Sequence, residues 1–184
     1  YREAILKGME DKKAEIQAII DSQDEPTFAN VIVAMEKSGE LLDRANGTFG
    51  PISSSNSTQE MRDLEKELSP IESAFNDWVN LNPDLFKKVK AVYDKHFSME
   101  INPEGGDAIL TKEERKVLEN VYKRFVRSGA LLDDAKKEEL KKLNLKLSEL
   151  QLQFSQNLLH ETNETYVTIE NLSELDGLPQ ANID

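Results

Sequence analysis

Residues 133–162 read DDAKKEELKKLNLKLSELQLQFSQNLLHET, and their spacing decides the fold class. Leu140, Leu143, Leu147, Leu150, Phe154 and Leu158 recur three or four positions apart, which is the period of one face of an α-helix. Asp133 or Asp134 supplies the start, and the helix is expected to run to about Thr162, a length of about 43 Å. Packing of this Leu stripe inside one helical bundle is the expected arrangement; docking of a partner helix is the alternative.

Working back toward the N-terminus, the same period recurs. Val117, Leu118, Val121, Tyr122, Phe125 and Val126 form a stripe opened by a capping box at Thr111-Lys112-Glu113-Glu114 and ending near Gly129. Residues 98–110, with Asn102-Pro103 and Gly105-Gly106, read as a loop. Asn82-Pro83 starts a helix through Leu85, Phe86, Val89, Val92 and Tyr93. A capping box at Ser57-Thr58-Gln59-Glu60 opens another, expected to break at Ser69-Pro70, where Ser69-Pro70-Ile71-Glu72 restarts it. Gly50 to Thr58 reads as a polar linker. Thr27 caps a helix expected to run to about residue 46, on a stripe of Phe28, Val31, Ile32, Met35, Gly39, Leu42 and Phe49. Residues 3–22 form the first helix, with Ile5, Met9, Ile16, Ile19 and Ile20 on a face interrupted at Lys12 and Lys13. Trp78, Phe75 and Phe125 lie on stripes and are expected in the core.

The period changes only after the long helix. Thr165-Tyr166-Val167-Thr168-Ile169 is β-branched and aromatic and reads as a strand. The expectation is therefore an all-α, multi-helix bundle with a short β-strand near the C-terminus. A lone strand cannot pair with itself, so its partner is expected outside the sequence. Residues 1–164 form the helical domain and 165–184 the junction. The chain starts in helical rhythm at Tyr1-Arg2-Glu3 and stops at Asp184 after a Gly177-Leu178-Pro179 turn, which reads as a piece of a longer polypeptide.

Composition narrows the function. The 184 residues hold 35 Asp and Glu against 23 Lys and Arg, a net charge of −12. That balance argues against a phosphate-backbone ligand and hence against nucleic acid. No apolar run is long enough to be a transmembrane segment. Without cysteine there is no thiol nucleophile, and oxidising and reducing compartments fit equally. Glu113-Glu114 and Glu138-Glu139 sit in first turns, where negative charge favours the helix dipole.

The one metal-like string is His160-Glu161-Thr162-Asn163-Glu164. A zinc-protease helix needs two imidazoles four apart with a Glu between them, and here Glu164 takes the second place. The helix is expected to end there and turn Glu164 away. The other histidine, His96, falls in a loop-like stretch between Lys95 and Phe97. A solvated helix end is the preferred reading, and no residue is assigned a catalytic, metal-ligating or substrate-binding role. Lys37-Ser38-Gly39-Glu40-Leu41-Leu42-Asp43 and Arg127-Ser128-Gly129-Ala130-Leu131-Leu132-Asp133 match at five positions. Either a helical hairpin is duplicated, or each Gly lets a neighbouring helix approach; the second is preferred.

Longer strings carry a family resemblance. Phe28 to Arg44 (FANVIVAMEKSGELLDR), Glu67-Leu68-Ser69-Pro70, Leu81-Asn82-Pro83-Asp84-Leu85-Phe86 and Arg124 to Ala130 (RFVRSGA) are collinear with one another. Phe154 to Leu159 (FSQNLL), Thr162-Asn163 and Leu175-Asp176-Gly177-Leu178-Pro179 extend them. Together they resemble the N-terminal helical region of the thimet-oligopeptidase family of zinc metallopeptidases. The likeness is closer to the bacterial peptidyl-dipeptidase branch than to oligopeptidase A or the animal enzymes. The resemblance implies an ellipsoidal, mostly helical parent in which two halves flank a deep channel. Its HExxH zinc site would lie in the C-terminal half, so this chain would itself be no enzyme and hold no cofactor. The parent would bind zinc and release C-terminal dipeptides from oligopeptides. This chain would form part of the channel wall, with the catalytic half and short peptides as partners. The alternative is a free-standing helical protein-interaction module.

Overall fold

Arg2–Asp21 form helix α1, whose apolar face serves two cores in turn. Ile5 and Met9 pack with Leu42, Ala45, Phe49 and Leu68. Ile16 and Ile19 join Val31, Ile32, Met35, Leu85, Phe86, Val89, Val92, Leu118, Val121 and Phe125. Lys12 and Lys13, which interrupt the stripe, stand between these clusters. The Lys12 stem lies against Gly39, and Lys13 Nζ sits 5.1 Å from the centre of the Trp78 ring. The break in the pattern therefore marks a division of the core, and α1 is continuous across it. The computed structural model describes residues 1–97 and 110–179, and the expected loop at 98–110 lies outside them except for Leu110.

Thr27 caps the next segment as expected. Its hydroxyl accepts from Asn30 N at 3.1 Å while Asn30 Oδ1 accepts from Thr27 N at 2.7 Å. That segment begins as a π-helix, Phe28–Val33, and continues as α2, Ala34–Lys37. The single helix expected through residue 46 is broken at Gly39, where φ is +84°. α3 then spans Glu40–Ser55, and the expected linker at 50–58 shrinks to three residues. The hydroxyls of Ser53, Ser54 and Ser55 donate back to the carbonyls of Gly50 and Pro51, so a serine run suited to turns instead prolongs the helix.

α4 runs unbroken over Gln59–Asn80, against the expected break at Pro70. A proline inside a helix costs about 3 kcal/mol. Here Leu68, 2% exposed, is fixed in the core on one side of α4, and the long helix Asp134–Glu164 lies along another. Its cap is Thr58, which accepts from Met61 N at 3.3 Å, one residue later than Ser57. α5, Pro83–Phe97, starts where Asn82 Oδ1 accepts from the amides of Asp84 and Leu85 at 3.0 Å. α6, Lys112–Arg127, opens with the expected capping box between Thr111 and Glu114. Phe86 stacks on Tyr122 and Phe125, and Tyr93 on Tyr122, so aromatic rings zip α5 to α6. Phe125 is fully buried, whereas Phe75 and Trp78 pack only partly buried against the edges of the two cores.

α7 spans Asp134–Glu164, capped by Asp133, whose carboxylate accepts from Lys136 N at 2.9 Å. The fold is all-α, and no strand occurs among the described residues. The strand expected at 165–169 is thus corrected. Thr165 leaves α7 with extended dihedrals, but the exposed residues that follow meet no neighbouring strand, so β-propensity has nothing to pair with. A 3₁₀ turn, Leu172–Leu175, comes after them.

Candidate interaction surface

The long helix stands at the edge of the bundle and packs on α4. Its less exposed positions, among them Asn144, Ser148, Leu152 and Gln156, form a largely polar line. Asn144 Nδ2 donates to Asp77 Oδ1 at 2.6 Å, and Gln156 Nε2 to the Arg62 carbonyl at 3.4 Å. Between the two helices runs a cleft of about 420 Å³, lined by Glu72, Asn76, Asp77 and Asn80 from α4 and by Asn144 and Gln151 from α7.

The Leu stripe points elsewhere. Leu143, Leu147, Leu150, Phe154 and Leu158 are exposed, from 49% at Leu150 to 68% at Phe154. Only Leu140 at its start turns inward, against Gly129. Packing of the stripe within one bundle is therefore corrected: α4 takes a polar face of α7 and leaves the apolar one to solvent. Periodicity finds an apolar face but does not say which neighbour meets it. Fully burying one such side chain gains about 1.5–3 kcal/mol, so five that are about half exposed or more leave on the order of 5 kcal/mol unrealised. Tyr166, Val167 and Ile169 are also exposed and extend the apolar surface past the helix end.

Two carboxyls near the cleft are shifted in the same direction. Asp77, 8% exposed, has its pKa raised chiefly by burial, against the opposing pull of the Asn144 hydrogen bond and the Lys141 charge. Burial also raises Glu72, helped by the charge of Glu65. No pattern in the sequence marks Asp77, because a lone Asp on a helix reads as solvated until its partner helix is in place.

The metal-like string fares as follows. α7 continues through Glu164, two residues beyond its expected end, so His160 and Glu164 share one helical face. The expected swing of Glu164 away from His160 is corrected. His160, Glu161 and Glu164 are nonetheless all exposed, and His96 lies in the last turn of α5 and not in a loop. Among the described residues no three His, Cys, Asp or Glu side chains gather where one ion could be held. These residues do not fit the three-ligand centre of a catalytic zinc.

The two matching segments share a different device from the one expected. Gly39 and Gly129 lie at φ +84° and +96°, each just after a Ser that ends a helix. Their task is the left-handed turn. Side chains of Lys12 and Leu140 lie against them, whereas the close approach of a helix backbone belongs to Gly8, where an added β-carbon would stand 2.6 Å from the Leu42 amide nitrogen.

No protein-family model matches the chain. Curated relatives do, along essentially all of it. The chain is 32% identical over 183 residues to dipeptidyl carboxypeptidase of Escherichia coli (strain K12), covering 100% of this chain and 26% of that protein. It is 30% identical over 178 residues to dipeptidyl carboxypeptidase of Salmonella typhimurium (strain LT2), covering 97% and 25%. To oligopeptidase A of Haemophilus influenzae the identity is 27% over 180 residues, covering 98% and 25%. The chain thus matches the N-terminal region of these peptidases, which are members of the thimet-oligopeptidase family of metallopeptidase hydrolases. The chain spans about a quarter of the length of the curated relatives it matches.

Proposed function

We propose that this chain is the non-catalytic, N-terminal helical part of a peptidase resembling dipeptidyl carboxypeptidase, and that it forms part of a substrate-channel wall. The observation that carries this reading is collinear similarity over the whole chain to only a quarter of each relative. Residues 1–164 are the helical unit and 165–184 the junction to the rest. The parent releases dipeptides from the C-terminus of oligopeptides and holds zinc in its remaining part. His160 and Glu164 are exposed near the end of α7 while His96 sits on α5, a placement that supports assigning no step of that chemistry to this chain.

A free-standing interaction module is the second reading, favoured by the exposed stripe of α7. The two differ in what the open reading frame encodes. Assay of its full product on an N-terminally blocked oligopeptide, beside residues 1–184 alone, separates them. The proposal expects chelator-sensitive dipeptide release by the full product and none by residues 1–184. An open reading frame with no downstream HExxH, or release by residues 1–184 alone, overturns it.

A further inference from the structure

We propose that the solvent-facing stripe of α7, continued by Tyr166, Val167 and Ile169, is the seam on which the rest of the polypeptide packs. This inference rests on the reading that the chain is the N-terminal part of a longer peptidase. Three observations choose that occupant. First, α4 already covers the polar face of α7, so the stripe, which touches the cleft only at Leu147, is a second surface. Second, the relatives carry about three quarters of their length outside the matched region, ample to supply a covering element. Third, the apolar surface lies on the last long helix and the segment after it, nearest in sequence to whatever follows the matched region.

The surface also specifies its partner. From Leu143 to Leu158 the stripe is a line about 22 Å long, suited to a helix of similar length laid along it. At 100° per residue, Glu161 falls on the line of the stripe and Glu164 beside it at the C-terminal end, whereas Lys136, Glu139 and Lys146 give the N-terminal end mixed charge. The covering element is therefore an amphipathic helix face with basic residues toward Glu161 and Glu164. A second copy of this chain is the competing occupant, because the stripe is almost symmetric about its midpoint: Leu143 would face Leu158, and Leu147 would face Phe154, in an antiparallel pair. The three quarters of the relatives' length outside the matched region decides for the polypeptide's own remainder.

The chain contains no cysteine, so single thiols report the surface directly. Leu150→Cys and Phe154→Cys would be labelled with a maleimide in residues 1–184 and in the full product of the open reading frame, with Glu40→Cys on exposed α3 as control. The expected result is fast labelling of both stripe positions in residues 1–184 and labelling about 100-fold slower in the full product, with the control equal in both. Equal rates at both stripe positions in the two forms overturn the seam. Protection within residues 1–184 that grows with protein concentration overturns it in favour of a second copy. Dipeptide release is measured on the same samples. An active full product with unprotected thiols sinks the seam alone, whereas a full product without activity sinks the reading beneath it.

Discussion

Asn144 Nδ2 donates to Asp77 Oδ1 at 2.6 Å, which ties the long helix to the bundle through a carboxylate only 8% exposed. Replacing Asn144 by Leu leaves that carboxylate buried and without its donor. A loss of about 1–3 kcal/mol is expected, because an unmet buried polar group costs its full desolvation. Pairing Asn144→Leu with Asp77→Leu should recover most of it. Urea midpoints for the two single variants and the double variant check this; a double variant as weak as the sum of the singles would contradict it.

The raised pKa values of Glu72 and Asp77 set the sign of one pH dependence. Between the ordinary carboxylate pKa and the raised folded value, the folded chain holds protons that the unfolded chain has released. The contribution of these groups to stability is therefore greatest below that window and falls as pH rises through it. Glu72→Gln should stabilise the chain near neutral pH and flatten the fall in urea midpoint on the acid side. Glu119 acts in the opposite sense: hydrogen bonds from Lys116 and Lys123 hold its pKa down at about 2. Its contribution is present above the ordinary Glu value and is lost as pH drops toward 2. Its place at the surface of α6, where solvent still reaches the pairs, keeps that effect small and sensitive to salt.

Two glycines in helices should respond oppositely to alanine. At Gly8 the new β-carbon would meet the Leu42 amide nitrogen at 2.6 Å and its Cα at 2.7 Å, and backbone atoms cannot swing aside. Gly8→Ala should cost about 2 kcal/mol through separation of α1 from α3. At Gly47 nothing lies within 4 Å, so Gly47→Ala should gain about 0.5–1 kcal/mol from helix propensity alone. Thermal melts of the two variants test the contrast, and a stabilised Gly8→Ala would refute the close approach.

Much of the helical framework was legible because local chemistry and tertiary structure agree. The stripes of α1, α5 and α6 face the core, and the caps at Thr27, Asn82, Thr111 and Asp133 make their bonds. Misreadings arose where packing or a local alternative outweighed propensity. Pro70 is absorbed by a helix held on two sides, and the serines after Pro51 bond back into α3. Thr165 to Ile169 has the composition of a strand but no partner to pair with. Gly39 was placed on a helix face, yet its positive φ ends the helix. The candidate surface was half legible: the Leu stripe of α7 stood out, but its exposure depended on α4 choosing the polar face instead. The Asp77–Asn144 pair left no local trace, since its partners lie 67 residues apart.

The central claim is the proposal that residues 1–184 carry none of the chemistry of a larger peptidase, and metal content tests it most directly. Residues 1–184 and the full product of the open reading frame would be equilibrated with zinc, passed through a desalting column and measured by mass spectrometry. The account predicts about one zinc per full-length chain, in keeping with a single three-ligand catalytic centre, and far less than one per chain for residues 1–184. Stoichiometric zinc on residues 1–184 that disappears in His160→Ala would contradict it.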